Sequence, residues 1–275
     1  MNGRRSTTLL VATDIDGTLI PRGRTTSSGN IAALERLRDL GALVVLVTGR
    51  APAAVPAALR ALPGVAFVIC ANGAVTIDTT GRTVRQSPLT GADLRATIGA
   101  LRKLPIRMSV AVERDGVLVR DPTYPDVTAG LRPTTIATDE ELWAQPAVKL
   151  LIRVAPAETE LVERVARSRT NPTSSGVPGL VECSAPGVDK ATGLAATVAL
   201  TGRDLAGTIA FGDMPNDAPM LAWADTGVAM ADAHPSLLAV ADHIAPRADQ
   251  DGFASAVGWW LSRQDDPVST QGVGT

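Results

Sequence analysis

Residues 9–13, 42–47 and 65–70 are short, almost wholly apolar runs, each followed by polar residues. A strand with one face in water alternates polar and apolar side chains. An unbroken apolar run of five or six needs cover on both faces, as in a parallel sheet between helices. Ile31, Leu34, Leu37 and Leu40 recur at helical spacing between the first two runs, and Gly41 is placed to end that helix. Pro52 suits the first turn of another helix, and Asn72-Gly73 after the third run is a turn signal. This β-α-β-α-β order predicts an α/β fold, a Rossmann-like doubly wound parallel sheet with right-handed crossovers.

The rhythm changes after residue 78. Residues 75–78 and 82–86 read as a hairpin around Thr80-Gly81. A helix over 93–104, strands over 106–113 and 117–120, a strand over 148–154, a helix over 158–169 and a strand over 180–184 follow. Strands that adjoin strands suggest an α+β module. From Val188 the first rhythm returns, with Leu194, Ala195 and Val198 on one helical face. Strands over 208–211 and 226–230 and helices over 215–224 and 252–261 complete it. The expected organisation is a core made of residues 1–78 and 188–275, split by an inserted α+β cap domain over 79–187. The polar tail from Gln264 is expected to fray.

Composition removes several function classes. Of 275 residues 45% are hydrophobic, and 26 basic against 28 acidic residues leave a formal charge of -2. Such a chain is neither disordered nor a dedicated nucleic-acid binder. No apolar stretch approaches the roughly 20 residues of a membrane span, and Asp14 and Asp16 cut short the signal-like start. Cys70 and Cys183 sit in apolar runs and read as buried free thiols, consistent with a cytoplasmic protein. Two histidines, His234 and His243, supply a Ser-His-Asp hydrolase poorly. The G-x-x-x-x-G-K-[ST] phosphate loop is absent, and G-x-G occurs only at Gly272–Gly274.

The chemistry-bearing residues cluster after strands. Asp14-Ile15-Asp16-Gly17-Thr18 follows the first strand, where ligands bind in open parallel sheets. Two carboxylates so close repel each other, and a divalent cation would relieve that. Thr48-Gly49-Arg50 follows the second strand and offers a hydroxyl and backbone N–H groups to a phosphate oxygen. Lys190, one of only three lysines, opens the helix after the insert. Gly212-Asp213-Met214-Pro215-Asn216-Asp217 again places acids at a strand end. Each signal alone also fits a solvated strand end or a helix cap.

Taken in order, these motifs resemble those of the haloacid dehalogenase (HAD) superfamily. Motif one is Asp14 to Leu19, motif two Thr48-Gly49-Arg50, motif three Lys190 and motif four Gly212-Asp213 to Asp217. Ala71-Asn72-Gly73-Ala74, the stretch from Gly227 to Gly252 and the position of the insert look like the Cof-type branch with a C2B-type cap. Ala191 and Asp232 depart from that branch's common Gly and Asn.

The resemblance implies a Mg²⁺-dependent phosphatase of small phosphomonoesters. Asp14 would attack phosphorus to give an aspartyl-phosphate, and Asp16 would be the acid and base. The magnesium ligands would be Asp14, Asp213 and the Asp16 main-chain carbonyl. Thr48, Gly49, Lys190, Asn216 and the Ile15 N–H would hold phosphate oxygens, and Asp217 would orient Lys190. The partner is then a phosphorylated small molecule, with neither nucleic acid nor membrane, in a monomer or weak homodimer.

Residues 79–187 carry 12 arginines and two lysines against 12 acids, a mildly basic lid for an anionic substrate. With only Tyr124 and Trp143 as its aromatics, that lid leans towards sugar phosphates, with flavin and pyridoxal phosphates left open. A phosphomutase on the same scaffold and a non-catalytic phosphate-binding module, receiver-like in its carboxylates, are the alternatives.

Overall fold

The structure, a computed structural model, describes residues 8–125 and 133–264. Its first part runs β1 (Thr8–Thr13), α1 (Ser28–Asp39), β2 (Leu43–Val47), α2 (Ala57–Arg60), β3 (Val65–Cys70), β4 (Val75–Asp78) and β5 (Thr83–Gln86). The middle contains α3 (Gly91–Leu101), β6 (Ser109–Arg114), β7 (Val117–Arg120), β8 (Thr134–Ile136), α4 (Asp139–Trp143), β9 (Lys149–Arg153), α5 (Thr159–Ala166), β10 (Asn171–Thr173) and β11 (Leu180–Ser184). The last part is α6 (Lys190–Thr201), β12 (Leu205–Gly212), α7 (Ala218–Trp223), β13 (Thr226–Met230), α8 (Pro235–Leu238), β14 (His243–Ala245) and α9 (Gly252–Gln264).

Eight strands form the core sheet in the order β14-β13-β12-β1-β2-β3-β4-β5. The pairings from β14 through β3 are parallel, and those of β4 and β5 antiparallel. The apolar runs are unbroken because both sheet faces are covered. Val11, Val44, Leu46, Ile209 and Phe211 pack on one face with Leu34 and Leu37 of α1 and Phe253 and Trp260 of α9. Leu10, Ala12, Val45, Val47 and Ala210 pack on the other with Leu194 of α6 and Met220 and Leu221 of α7.

The second sheet has the order β10-β11-β9-β6-β7-β8 and is antiparallel except between β7 and β8. Its strands alternate. Val110, Val112, Leu150, Ile152, Val181 and Cys183 pack against Leu94, Ile98 and Val162 of α3 and α5. The opposite face carries Ala111, Leu151 and Tyr124 together with the charged Glu113, Lys149 and Glu182.

The expected doubly wound core with an inserted α+β cap is the fold observed. The limit expected at residue 78 needs correction, because β5 stays in the core sheet as the hairpin partner of β4. A tight turn over Thr79–Gly81, closed by the Gly81 N–H on the Asp78 carbonyl and the Asp78 N–H on the Arg82 carbonyl (both 2.9 Å), keeps both strands together, so the chain leaves the core only after Gln86. Helix α3 starts two residues earlier than expected, at Gly91, because the Thr90 side chain accepts from the Asp93 N–H and caps it. The short strands β8, β10 and β14 carry too few residues for a periodic signal. The tail beyond Gln264 lies outside the described residues. Both cysteines are buried and unjoined, and burial pushes each thiol up to about 12. No helix among the described residues is long and apolar enough to cross a membrane.

Candidate active site

Parallel strands place their following loops on one edge, and Asp14, Thr48, Asn72 and Asp213 all lie there, just beyond β1, β2, β3 and β12. The Asp14 N–H still donates to the Phe211 carbonyl (3.0 Å), so the acid is fixed by the sheet ladder. The Asp14 residue is only 6% exposed. Lys190, the first residue of α6, comes in from the far side of the insert. Its Nζ donates to Asp14 Oδ1 and to Asp217 Oδ1, both at 2.5 Å. Asp189 caps α6 through a bond from the Thr192 N–H (2.8 Å), which fixes where the lysine leaves the helix.

Motif four folds back on itself. Asp217 Oδ2 accepts from the Asp213 N–H (3.0 Å) and the Met214 N–H (2.9 Å). Gly212 permits this, since a Cβ there would stand 2.4 Å from the Asp217 Cβ. Asp213 in turn accepts from Thr18 Oγ1 (3.2 Å) and from Arg22 (2.7 Å). Gly17 has φ +92°, and a Cβ on it would come 2.4 Å from Asp213 Oδ2. Only glycine fits this backbone and this approach.

Asp14, Asp213 and Asp217 are buried, with carboxylate oxygens within 4.8 Å of one another. Burial pushes the Asp14 carboxyl up to about 8, and Asp217 and Asp213 add repulsion against the pull of Lys190. Burial likewise raises the Asp213 pKa, helped by Asp217. For Lys190 burial works the other way, but Asp14 and Asp217 outweigh it and hold its proton more firmly. The Lys190 ammonium and the largely exposed Arg22 guanidinium on Asp213 thus face three carboxylates, and a divalent cation would relieve the remaining charge. Hard carboxylate oxygens suit Mg²⁺. Asp217 is fully buried, and its oxygens are tied to Lys190 and to two backbone N–H groups of its own loop. Asp213 is held by a hydroxyl and by the largely exposed, displaceable Arg22, so Asp14 and Asp213 are the side chains best fitted to hold an ion.

Asp16 is not in this cluster. Both of its oxygens are held by the Arg50 fork, Nε at 2.7 Å and Nη2 at 2.5 Å. Thr48 Oγ1 accepts from the Arg50 N–H at 3.1 Å. Asn216 Nδ2 donates to Asn72 Oδ1 (3.0 Å), while Asn216 Oδ1 is buried and has no hydrogen-bond partner. The Ile15 side chain is fully buried in the core. The Gly49 carbonyl accepts from Lys149 Nζ of the cap (2.5 Å). Asp14, Asp16, Thr48, Gly49, Asn216 and Asp217 share one open cavity of about 430 Å³.

Five residues at the site escaped the sequence reading as functional groups: Arg22, Arg50, Asn72, Lys149 and Glu182. Arg50 and Asn72 belonged to recognised motifs, but nothing in their spacing gave their partners. Lys149 had a signal, being one of three lysines. Glu182 had one as well, an acid inside an apolar strand.

Residues 11–257 match the family model of haloacid dehalogenase-like hydrolases. The chain is 27% identical to 5-amino-6-(5-phospho-D-ribitylamino)uracil phosphatase YcsE of Bacillus subtilis (strain 168), over 92% of this chain and 95% of that one. It is also 27% identical to pyridoxal phosphate phosphatase YbhA of Escherichia coli (strain K12), over 91% of this chain and 98% of that one. A solved phosphatase of the haloalkanoate superfamily from Bacteroides thetaiotaomicron superposes with TM-score 0.80 at 25% identity, covering 95% of this chain and 98% of its own. A subclass IIB sugar phosphatase has the same fold, with TM-score 0.80 at 23% identity over 92% of this chain and 99% of its own.

Proposed function

The chain belongs to the haloacid dehalogenase-like hydrolases, and from that premise we propose that it hydrolyses small phosphomonoesters by way of a phosphorylated Asp14. The observation that carries this reading is the buried Asp14 carboxylate held by Lys190 at the carboxyl edge of the central strand. Its relatives named as phosphatases of a ribitylaminouracil phosphate and of pyridoxal phosphate support a phosphorylated metabolite as substrate.

In this reading an Asp14 oxygen attacks phosphorus and the ester oxygen leaves. The leaving oxygen takes its proton from the Asp16 carboxyl, for which one Asp16 oxygen must leave the Arg50 fork and be protonated. Asp16, now a carboxylate, accepts a proton from water as that water attacks the phosphoryl group and restores Asp14. Lys190 neutralises charge on the transferred oxygens, and the Thr48 hydroxyl and the Asn216 amide orient them. Asp217 is a positioning residue, since it holds Lys190 and the backbone of its own loop. Asp14 and Asp213 would hold Mg²⁺, which supplies charge neutralisation when bound.

Phosphoryl transfer needs little covalent chemistry beyond this, so positioned charge suffices. The test is acid quench of a single turnover with labelled phosphoester. Label bound to the protein and absent from Asp14→Asn supports the covalent route. Turnover with no protein-bound label at any quench time and no loss in Asp14→Asn removes it.

A further inference from the structure

Glu182 stands where two cavities meet. It lines the 430 Å³ site that holds Asp14 and Asp16, and also a cavity of about 670 Å³ beneath the inner face of the cap sheet. The larger cavity has an apolar wall of Ala54, Pro56, Tyr124, Leu151 and Leu180. Its size is that of a small-metabolite pocket. Gly49 and Arg50 line both cavities as well, so a phosphoester with its phosphorus at Asp14 extends its carbon skeleton into the larger one past these two residues and Glu182.

That acid is 7% exposed. Its Oε1 accepts from Lys149 Nζ at 2.7 Å, and Lys149 also holds the Gly49 carbonyl at 2.5 Å. Among the described residues its buried Oε2 meets no donor in full hydrogen-bonding geometry, and the nearby Ser175 hydroxyl helps to hold the charge. Lys149 and Ser175 outweigh burial and keep the carboxyl below its ordinary range, so the oxygen is a charged acceptor. A buried charged acceptor left without a donor is costly, and a donor supplied by a ligand removes that cost.

Resting on the phosphatase reading, we propose that Glu182 is a specificity-determining residue that accepts a hydrogen bond from a hydroxyl or N–H group on the leaving alcohol. The substrate class is then the phosphomonoesters of polar alcohols, with a donor a few bonds from the ester oxygen. Esters of plain alkyl alcohols fit the apolar wall but leave Oε2 unpaired, and a site built for a donor rejects analogues that lack one.

The experiment compares kcat/KM for glycerol 3-phosphate and n-propyl phosphate, which share a three-carbon skeleton, with p-nitrophenyl phosphate beside them. The wild type is expected to prefer glycerol 3-phosphate by roughly tenfold or more. Glu182→Gln should shrink that preference. The double variant Lys149→Met with Glu182→Met replaces the buried pair by apolar side chains, a change that folds well in many proteins. It should bring the preference close to one. An equal fall on both esters with the preference kept would mean that Glu182 only holds Lys149, and overturns the assignment. Wild-type turnover of p-nitrophenyl phosphate without preference between the alkyl esters also overturns it and leaves the phosphatase reading standing. No turnover of any ester removes both.

Discussion

The Arg50 fork on Asp16 fixes a side chain that would otherwise swing through solvent, because the Asp16 side chain is 41% exposed. A proton carrier must meet the ester oxygen at hydrogen-bond distance, and misplacement by about 1 Å can cost a hundredfold in rate. Arg50→Met should therefore lower kcat by roughly tenfold to a hundredfold, with circular dichroism unchanged. An unaltered kcat would show that Asp16 needs no such guide. Glu182 carries a pH prediction. Burial opposes its charge, but Lys149 outweighs burial and sets the folded pKa below the unfolded value of about 4.3. A depressed carboxyl adds stability above its unfolded pKa, and that stability is lost as pH falls through the folded one. Glu182→Gln should thus lower Tm at pH 7, and the gap from wild type should close below about pH 4. A constant gap at all pH values would contradict the pairing. At this scale the sequence was partly legible. The order of Asp14, Thr48, Lys190 and Asp213 betrayed the site, because a motif is a run of residue types. Pairings such as Arg50 with Asp16 or Lys149 with Gly49 span 34 and 100 residues. Only the folded sheet edge brings them together.

Helix α6 delivers Lys190, and its seat is the Asn72-Gly73 turn. Gly73 has φ +102°, and a Cβ on it would fall 1.9 Å from the Asp189 carbonyl, while a Cβ on Gly193, one turn further along α6, would stand 2.6 Å from the Gly73 Cα. Gly73→Ala must either move α6 or break the turn. It should cost about 1–3 kcal/mol of stability and lower kcat more than Gly81→Ala, whose turn is remote from α6. Equal effects of the two substitutions, measured by Tm and phosphate release, would separate the turn from the lysine. The elements of the parallel core were readable because two-sided burial leaves unbroken apolar runs. The hairpin of β4 and β5 was readable as a hairpin, yet its sheet was not, since a turn signal does not say which sheet a strand joins. The six-stranded sheet was legible only as mixed strands and helices, because its inner face carries Glu113, Lys149 and Glu182 where a core pattern would be apolar.

The whole molecule sets a buried acidic cluster under a cap that touches the core through Lys149 on the Gly49 carbonyl and Thr173 beside Asn72. An ion that binds this cluster in the folded chain alone must stabilise the fold by mass action. Mg²⁺ at a hundredfold over its Kd should add about 2.7 kcal/mol, or roughly 5 to 10 °C in Tm for a chain of this size. Asp213→Asn should abolish the rise. A Tm indifferent to Mg²⁺ and EDTA would remove the ion from the account. The doubly wound core and the presence of an insert followed from the sequence, since a change of strand rhythm marks a change of architecture. The cavity between cap and core did not, because it is made by residues from both. The central claim, a phosphatase whose nucleophile is Asp14, is tested most directly by phosphate release from a broad panel of phosphomonoesters. The panel is run with Mg²⁺ and with EDTA, for the wild type and for Asp14→Asn. The account predicts release that needs Mg²⁺ and falls by at least roughly a thousandfold in the variant. Release that survives in Asp14→Asn at near wild-type rate would contradict it.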